Sequence, residues 1–306
     1  MLFEHTLNGW DSWSSVFQSR EAFFPLANAI FRKEGLPLAE SLENLPPGTN
    51  AVFKANELII KIYAPIQTNM DTQQDYATEL AVMKFAMNHN ISIPKIIGHG
   101  EFMDKYLFRY LIMDYVPAAF SIQELLLASS SEKKDFADHI KQISGKLHQP
   151  AQNLLPRIDL RNQDNRMNRM DGLNPNLIKE LARSAENLDY DEVVLVHGDI
   201  TRDNLIIGTD RSVTLIDFAD CIMAPAYYEL PAIIFELFLC DQELVAEYIG
   251  EEDRELFLDA LIKGLSIHLF CGFILKDYFE RIDIPRDSVA SIDELRLLLQ
   301  KQLFPH

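Results

Sequence analysis

Two different periods of apolar and polar positions divide the chain near residue 116. Before it, short runs of alternating or continuous apolar residues predict β-strands, and turn residues separate them. The predicted strands cover residues 51–54, 58–63, 91–97 and 106–116. The turn around Asn56 joins the first two strands as a hairpin. Helices are predicted over 20–35, closed by Gly35, and over 72–88. This part of the chain therefore predicts a small antiparallel sheet with a helix against it.

The rest of the chain reads as mainly helical. Three Ser-x-x-Glu segments have the spacing of an N-terminal capping box, and each is followed by helix-forming residues. They are Ser121–Glu124, Ser129–Glu132 and Ser291–Glu294. The apolar runs 233–240 and 267–275 are predicted to be buried helices. The predicted fold class is α+β with two lobes, residues 1–116 and residues 117–306.

The segment that follows the apolar run 193–196 carries the clearest chemistry. Asp199 lies in it, Asn204 comes five residues later, and Asp217 follows the next apolar strand. Phosphoryl transfer to a hydroxyl needs a carboxylate that orients and deprotonates the acceptor. Mg²⁺ prefers hard oxygen ligands such as amide and carboxylate groups. We therefore predict Asp199 as the catalytic base, and Asn204 and Asp217 as Mg²⁺ ligands. His197 is expected to have a structural role in this segment, and a general-base role is the alternative.

Written as H-G-D-x-x-x-x-N followed by hydrophobic-D-F-x-D, these motifs resemble the aminoglycoside phosphotransferase family. That family includes choline, homoserine and methylthioribose kinases and shares the protein-kinase fold. Further motifs follow in family order between about residue 45 and about residue 230. The resemblance implies a protein-kinase-like fold with an N-terminal nucleotide-binding lobe and a C-terminal catalytic lobe. It also implies ATP or GTP as the phosphate donor, together with Mg²⁺.

The same resemblance assigns nucleotide-binding roles in the first lobe. Lys61 matches the family's nucleotide lysine and Glu79 its helical partner, whereas Lys54 is a rival for the lysine. The turn at Thr49 and Asn50 resembles the phosphate-covering turn. It has a single glycine, so a plain turn is an equal alternative. The residues of the adenine-binding hinge are Met113, whose side chain would line the pocket, and Asp114 and Val116, whose backbones would bind the purine.

The acceptor is expected to be a small molecule with a hydroxyl group. Only nine residues separate Asp217 from Tyr227, which leaves little room for the peptide-docking segment of a protein kinase. Candidate contacts for a cationic acceptor are Asp220, Glu229, Asp277 and Glu280. Solvated surface acids are the alternative for all four. Two other functions stay open: an inactive nucleotide-binding module, and a relative that transfers AMP.

The charge balance restricts the partners further. The chain has 28 Lys and Arg against 46 Asp and Glu, so its formal net charge is −18. This charge disfavours nucleic acids and anionic membranes and suits a cationic acceptor, although it also serves solubility alone. Three cysteines among apolar neighbours indicate reduced, buried thiols of a cytoplasmic protein. No signal peptide or membrane span is expected. The sequence leaves monomer and dimer equally open.

Overall fold

The computed structural model describes residues 1–46, 48–70, 72–149, 151, 154–161, 169–188 and 192–305. The chain folds as two compact units. The first comprises Met1–Phe85, Ser92–Pro117 and Asp217–Ala219. The second comprises Ala86–Ile91, Ala118–Ile216 and Asp220–His306. Both units consist of more than one stretch of sequence, and the short segment Asp217–Ala219 belongs to the first unit although its neighbours in the chain belong to the second.

The first unit contains a five-stranded antiparallel sheet. Its strands are β1 (Glu43–Asn44), β2 (Ala51–Ala55), β3 (Leu58–Ile62), β4 (Ile96–Met103) and β5 (Leu107–Asp114). They lie in the order β1-β2-β3-β5-β4, and all neighbours are antiparallel. Asn56 turns the β2–β3 hairpin with φ of 56°, in the left-handed region that asparagine tolerates. The prediction of a small antiparallel sheet is confirmed.

The prediction of a strand over 91–97 is wrong for most of its length. The backbone N–H of Ile91 donates to the carbonyl oxygen of Ala86, so Ile91 is tied to the turn that follows the preceding helix. Pro94 has no N–H to donate to a ladder, and β4 begins only at Ile96. The strand then continues to Met103, past a break in pairing register between Ile96 and Gly98.

Among the described residues, four helical segments complete the first unit. They are α1 (Trp10–Ser14), α2 (Arg20–Lys33), a 3₁₀ turn (Ile66–Thr68) and α3 (Thr72–Asn88), whose last residues pass into the second unit. The Ser19 side chain caps α2 by accepting from the Ala22 backbone N–H. Gly35, with φ of 68°, closes the same helix as predicted.

The two faces of the sheet have different neighbours. Because side chains alternate along a strand, Phe53, Ile60 and Ile112 share one face, and Lys61 and Met113 lie on the other. The first set packs in one core cluster with apolar residues of the N-terminal 42 residues. The N-terminal segment therefore covers one face of the sheet, and the predicted nucleotide lysine lies on the opposite face.

The second unit is mainly helical. Its helices are α4 (Ile122–Leu126), α5 (Ser130–Leu147), α6 (Pro175–Glu186), α7 (Gln242–Ile249), α8 (Arg254–Ile267), α9 (Cys271–Arg281) and α10 (Ile292–Leu303), together with a 3₁₀ turn (Ala226–Glu229) and a π-helical segment (Ala232–Leu237). Helix α5 packs against α7, and α6 packs against α8. No helix in the described part of the chain is long and apolar enough to span a bilayer.

Two of the three capping boxes predicted from the sequence are complete. Ser121 and Ser129 form complete capping boxes, whereas Ser291 caps its helix without the reciprocal contact, because Glu294 accepts from Ala290 instead.

The apolar run 267–275 is not one helix: α8 ends at Ile267 and α9 begins at Cys271. All three cysteines are buried and have free thiols, as predicted.

Two short antiparallel ladders flank the segment of the second unit that contains Asp199 and Asn204. The pairs are β6 (Val194–Val196) with β9 (Ile222–Ala224), and β7 (Leu205–Ile207) with β8 (Val213–Leu215). Residues 197–204 connect β6 to β7, so both ends of the segment are fixed by strands. A 3₁₀ turn, Arg202–Asn204, completes the segment.

Candidate active site

Lys61 forms two ion pairs within the first unit. Its Nζ lies 2.7 Å from Glu79 Oε2 on α3 and 2.8 Å from Asp217 Oδ1. Lys61 and Glu79 are buried, whereas the Asp217 side chain is 47% exposed. Burial lowers the pKa of Lys61, but the charges of Asp217 and Glu79 outweigh that effect and raise the pKa above its usual value. Lys61 is therefore a permanently charged ammonium, as binding to phosphate requires.

Tyr63 is a partner of Glu79 that the sequence analysis missed. It lies two residues after Lys61 in the chain, and its hydroxyl donates to Glu79 Oε2. The same carboxylate oxygen therefore binds both Lys61 and Tyr63. Burial raises the pKa of Tyr63, and the Glu79 charge raises it further, so the hydroxyl keeps its proton and stays a donor. The spacing of two residues, which is expected to place Tyr63 on the same side of the strand as Lys61, is the signal that could have revealed this contact.

The predicted hinge follows the same face of the sheet. Met113 is buried in β5 and pairs in register with Ile59. The Asp114 backbone N–H donates to the Lys95 carbonyl oxygen at 3.1 Å. Because that N–H is engaged, a contact from the Asp114 backbone to a purine has to come from its carbonyl oxygen. Val116 is half-buried beyond the end of the strand.

The predicted phosphate turn is held by contacts from two sides. Thr49 is exposed, and its carbonyl oxygen accepts a hydrogen bond from Trp13 Nε1 at 2.9 Å. Asn50 is buried, and its side-chain Oδ1 accepts from the Ala64 backbone N–H at 3.1 Å. The Asn50 side chain therefore fixes the turn to the end of β3, and any binding of phosphate falls to the backbone N–H groups.

Asp199 and Asn204 contact each other inside the second unit. Asn204 Nδ2 donates to the Asp199 carbonyl oxygen at 3.0 Å and to Asp199 Oδ2 at 2.6 Å. Asn204 is buried and Asp199 is half-buried. The His197 ring is fully buried, and its Nε2 lies 3.2 Å from the Ile216 carbonyl oxygen, which fits the expected structural role. The amide of Asn204 thus fixes the carboxylate of Asp199 in position.

The donor set suits the predicted Mg²⁺. Because both bonds from Asn204 use its amide nitrogen, its amide oxygen is the atom left to serve as a metal ligand. The Ile216 backbone N–H donates to the Asn204 carbonyl oxygen, and Asp217 is the next residue along the chain. Asp217 has φ of 60°, in the left-handed region that aspartate adopts more readily than most other residues.

Gly198 is required by the conformation of this segment. Its φ is 81°, and a Cβ there would lie 3.0 Å from the Asp220 carbonyl oxygen and 3.3 Å from the Tyr228 ring. A larger residue at this position would therefore be strained by its backbone and by its neighbours at once. The glycine lets the chain turn between His197 and Asp199.

Glu229 corrects one of the predicted acceptor contacts. It is fully buried, and its two carboxylate oxygens accept from the backbone N–H groups of His197 and Gly198, each at 2.8 Å. His148 Nε2 lies 3.5 Å from the same carboxylate. Burial raises the pKa of Glu229, but the neighbouring His148 and His197 outweigh it and lower the pKa. Glu229 therefore holds the segment that carries Asp199 and does not face an acceptor.

His268, at the end of α8, also packs against this segment. Its ring stacks on Tyr228 with centroids 4.4 Å apart, and its Nδ1 accepts from the Phe270 backbone N–H at 3.1 Å. Burial lowers the pKa of His268 to about 4, and the Glu229 charge and the Gly198 backbone offset only part of that effect. His268 is therefore neutral at physiological pH.

The buried neutral state of His268 predicts acid sensitivity. An unfolded histidine binds a proton below pH 6.5, whereas folded His268 does so only near pH 4. The unfolded chain therefore binds more protons between these values, and the free energy of unfolding falls as pH falls through this window. At 1.36 kcal/mol per pKa unit, we expect a loss of about 2 kcal/mol between pH 7 and pH 5.

Urea unfolding at both pH values measures this loss. His268→Gln should remove most of the difference between pH 7 and pH 5 that wild type shows. Equal pH dependence in wild type and variant would show that His268 does not carry the effect.

The three other predicted acceptor carboxylates lie on or near the surface of the second unit. Asp220 is exposed, and Glu280 is exposed and pairs with Arg286 at 2.8 Å. Asp277 is half-buried on α9, and its Oδ2 lies 3.1 Å from Arg281 Nε. Asp277 and Glu280 are thus each neutralised in part by an arginine.

The comparisons with known proteins identify the family. A model of the phosphotransferase enzyme family matches residues 49–266, which is more than half of the chain. The chain therefore belongs to the aminoglycoside phosphotransferase (APH) family of phosphotransferases. The matched range contains the Lys61 ion pairs and the Asp199–Asn204 segment, and it begins at Thr49. No curated protein matches the chain significantly by sequence.

Solved structures show the same fold. The GDP and kanamycin complex of the aminoglycoside phosphotransferase APH(2")-IIia matches with a TM-score of 0.60 and 16% identity, over 89% of this chain and 96% of the other. The streptomycin–ATP complex of APH(2")-IIa matches with 0.56 and 15%, over 91% and 94%. A choline/ethanolamine kinase family protein from Mesorhizobium loti matches with 0.53 and 17%, over 87% and 88%. The prediction of a kinase-like fold is confirmed.

Proposed function

We propose that this protein is a kinase that transfers the γ-phosphate of ATP, or of GTP, to a hydroxyl group of a small cationic molecule. The observation that carries the proposal is the buried ion-pair set of Lys61 with Glu79 and Asp217. A buried lysine is costly unless its charge is matched. The Lys61 ammonium, held charged in this way, offers hydrogen-bond donors to the phosphates of a nucleotide.

The nucleotide contacts follow from the face of the sheet that carries Lys61. Met113 supports the proposal as a buried apolar residue of that face. Asp114 is the last residue of the strand, and Val116 lies two residues beyond it. The backbone N–H groups at Thr49 and Asn50 are proposed to bind phosphate. Two solved relatives are complexes with GDP and with ATP, which supports a purine nucleotide as the phosphate donor.

Asp199 is proposed as the base of the reaction. Its carboxylate accepts the proton of the acceptor hydroxyl while that oxygen forms a bond to the γ-phosphorus. The bond from the γ-phosphorus to the oxygen bridging it to the β-phosphate breaks, and the nucleoside diphosphate leaves with the electron pair. The hydrogen bond from Asn204 at 2.6 Å orients the carboxylate before the acceptor arrives, which lowers the entropic cost of the step.

Asn204 and Asp217 are the proposed holders of Mg²⁺. One amide oxygen and one carboxylate match the few protein ligands that Mg²⁺ takes when phosphates and water supply the rest. When bound, the ion neutralises charge that develops on the transferred phosphoryl group. Asp217 is therefore both the ion-pair partner of Lys61 and a proposed ligand of Mg²⁺.

The negative charge of the protein supports a cationic acceptor. The net charge of −18 attracts cations. In the second unit, Glu236 lies in the π-helical segment, where burial and the Asp277 charge both raise its pKa. A cation near these carboxylates would relieve that repulsion. Asp220, Asp277 and Glu280 remain proposed contacts. Two solved relatives are complexes with kanamycin and with streptomycin, which belong to the class of cationic molecules proposed here as acceptors.

Thermal unfolding with nucleotide tests the donor site. We expect ATP to raise the melting temperature of wild type clearly when Mg²⁺ is present and only slightly when EDTA replaces it. Asp217→Asn should lose most of the Mg²⁺-dependent increase, because it removes a carboxylate ligand. Asp203→Asn is the matched control, since Asp203 is an exposed aspartate beside Asn204. If Asp217→Asn keeps the full increase, Asp217 does not hold the metal.

A further inference from the structure

The N-terminal 42 residues precede the range that the family model matches, yet they are part of the core of the first unit. Their apolar residues share one cluster with strands β2, β3 and β5. Backbone N–H groups of Leu2 and Phe3 donate to the Asp104 carboxylate, and the N–H of Leu7 donates to the Tyr106 hydroxyl at 2.8 Å. These contacts fix the segment across the sheet.

One residue of this segment contacts the phosphate turn directly. Trp13, in α1, is fully buried, and its ring packs edge-on against Phe23 with centroids 5.7 Å apart. Its Nε1 donates to the Thr49 carbonyl oxygen at 2.9 Å, across 36 residues of sequence. An indole N–H in a buried ring has to find an acceptor, and here the acceptor is a main-chain oxygen of the turn.

The direction of this hydrogen bond determines where the turn presents its donors. In a trans peptide, the carbonyl oxygen and the N–H of the same unit point in opposite directions. The Thr49 carbonyl oxygen points to Trp13, so the N–H of Asn50 in the same peptide unit points away from the N-terminal segment. The Asn50 side chain adds a second restraint through the Ala64 N–H.

We infer that Trp13 is a positioning residue for nucleotide phosphate, acting through the Thr49–Asn50 peptide. This inference rests on the proposed nucleotide-binding function and adds to it a residue outside the family match. Trp13 does not touch the nucleotide itself. Its hydrogen bond fixes the peptide so that the Asn50 N–H is oriented for phosphate before the nucleotide arrives, and loss of the bond lets the peptide rotate.

Calorimetric binding of ATP and of adenosine separates this role from general support of the fold. Trp13→Phe keeps an aromatic ring and removes the N–H donor. A net hydrogen-bond contribution of this kind predicts a loss of ATP affinity of roughly three- to tenfold, with adenosine affinity unchanged because adenosine has no phosphate. The steady-state KM for ATP should rise by a similar factor, and kcat should stay near wild type.

Trp10→Phe is the matched control, because Trp10 is the second of the two tryptophans and is 40% exposed. It should bind both ligands as wild type does. Equal loss of ATP and adenosine affinity in Trp13→Phe, or no loss of either, overturns the inference. If neither wild type nor Trp10→Phe binds ATP at all, the proposed function is wrong, and the inference is wrong with it.

Fluorescence keeps the inference testable if Trp13→Phe does not fold. The Trp10→Phe protein has Trp13 as its single tryptophan. Saturating Mg·ATP should change its emission, because phosphate at the turn alters the surroundings of the Thr49 carbonyl, whereas adenosine should not. Unchanged emission at ATP concentrations that raise the melting temperature would contradict the coupling between Trp13 and the turn.

Discussion

Asp199→Asn is expected to lower kcat by about 10²–10⁴-fold, the contribution of a positioned base in general acid–base catalysis. The substitution keeps the shape of the side chain but removes its ability to accept a proton. The affinity for Mg·ATP should stay within about twofold of wild type, because the proposed contacts of Asp199 are with the acceptor. Steady-state kinetics on the identified acceptor, together with calorimetric nucleotide binding, measure both parameters.

Asp203→Asn is the control for the base. It makes the same chemical change at an exposed position four residues away and should leave kcat within about twofold of wild type. A near-normal kcat in Asp199→Asn would remove the base from the mechanism. A matching loss in Asp203→Asn would show that the whole segment is sensitive and that the effect is not specific to Asp199.

Glu229→Gln is expected to have the largest effect on stability. The carboxylate accepts from two buried backbone N–H groups, those of His197 and Gly198. Glutamine has one acceptor oxygen, so one of these N–H groups would face an NH₂ group and lose its partner. An unsatisfied hydrogen bond to a formerly charged group costs about 2–3 kcal/mol, which lowers the melting temperature by roughly 5–10 °C.

Activity should fall as well, because the same hydrogen bonds hold the segment that carries Asp199. A displacement of about 1 Å at a reacting group costs up to roughly 10²-fold in kcat. Glu251→Gln, at an exposed position of the second unit, is the control and should change neither the melting temperature nor kcat. A Glu229→Gln protein with wild-type stability would show that Glu229 does not hold the segment.

The sequence predicted the fold where local signals and tertiary packing agree. The β2–β3 hairpin has alternating apolar residues and a left-handed Asn56, and both signals are local. The strand predicted over 91–97 is wrong because an apolar run does not show which of its N–H groups are paired. The hydrogen bond of the Ile91 N–H to the last turn of α3 and the proline at 94 determine that outcome. The break between α8 and α9 at His268 was missed as well, because the mainly apolar run 267–275 was taken as one helix.

The candidate site, like the fold, was predicted from the sequence only in part. The spacing from Asp199 to Asn204 within one connection between strands was enough to predict that the two act together, and the structure places them in hydrogen-bond contact. Tyr63 and His268 were not predicted, and Glu229 was predicted as an acceptor contact instead of as the acceptor of the His197 and Gly198 N–H groups. These contacts depend on tertiary packing. A lone acid inside the apolar stretch around residue 229 was the available signal, because a buried carboxylate requires a specific set of donors.

Trp13 was hidden for a different reason. It lies in the first 42 residues, which carry no motif of the family, and its contact with Thr49 joins residues 36 positions apart in the sequence. Sequence motifs identify residues that contact a ligand. A residue that only positions such a contact does not have to lie at a fixed spacing from the motif. Structural coordinates are therefore needed to find it.

Phosphorus NMR of a reaction that contains the protein, Mg·ATP and a panel of aminoglycosides and amino alcohols tests the central claim most directly. We predict that the ATP signals are replaced by those of ADP and of a new phosphate monoester, and that the monoester appears only with a hydroxylated acceptor. Appearance of pyrophosphate with a phosphodiester would mean transfer of AMP. ATP signals that persist with every acceptor, although the nucleotide binds, would contradict the assignment of kinase activity.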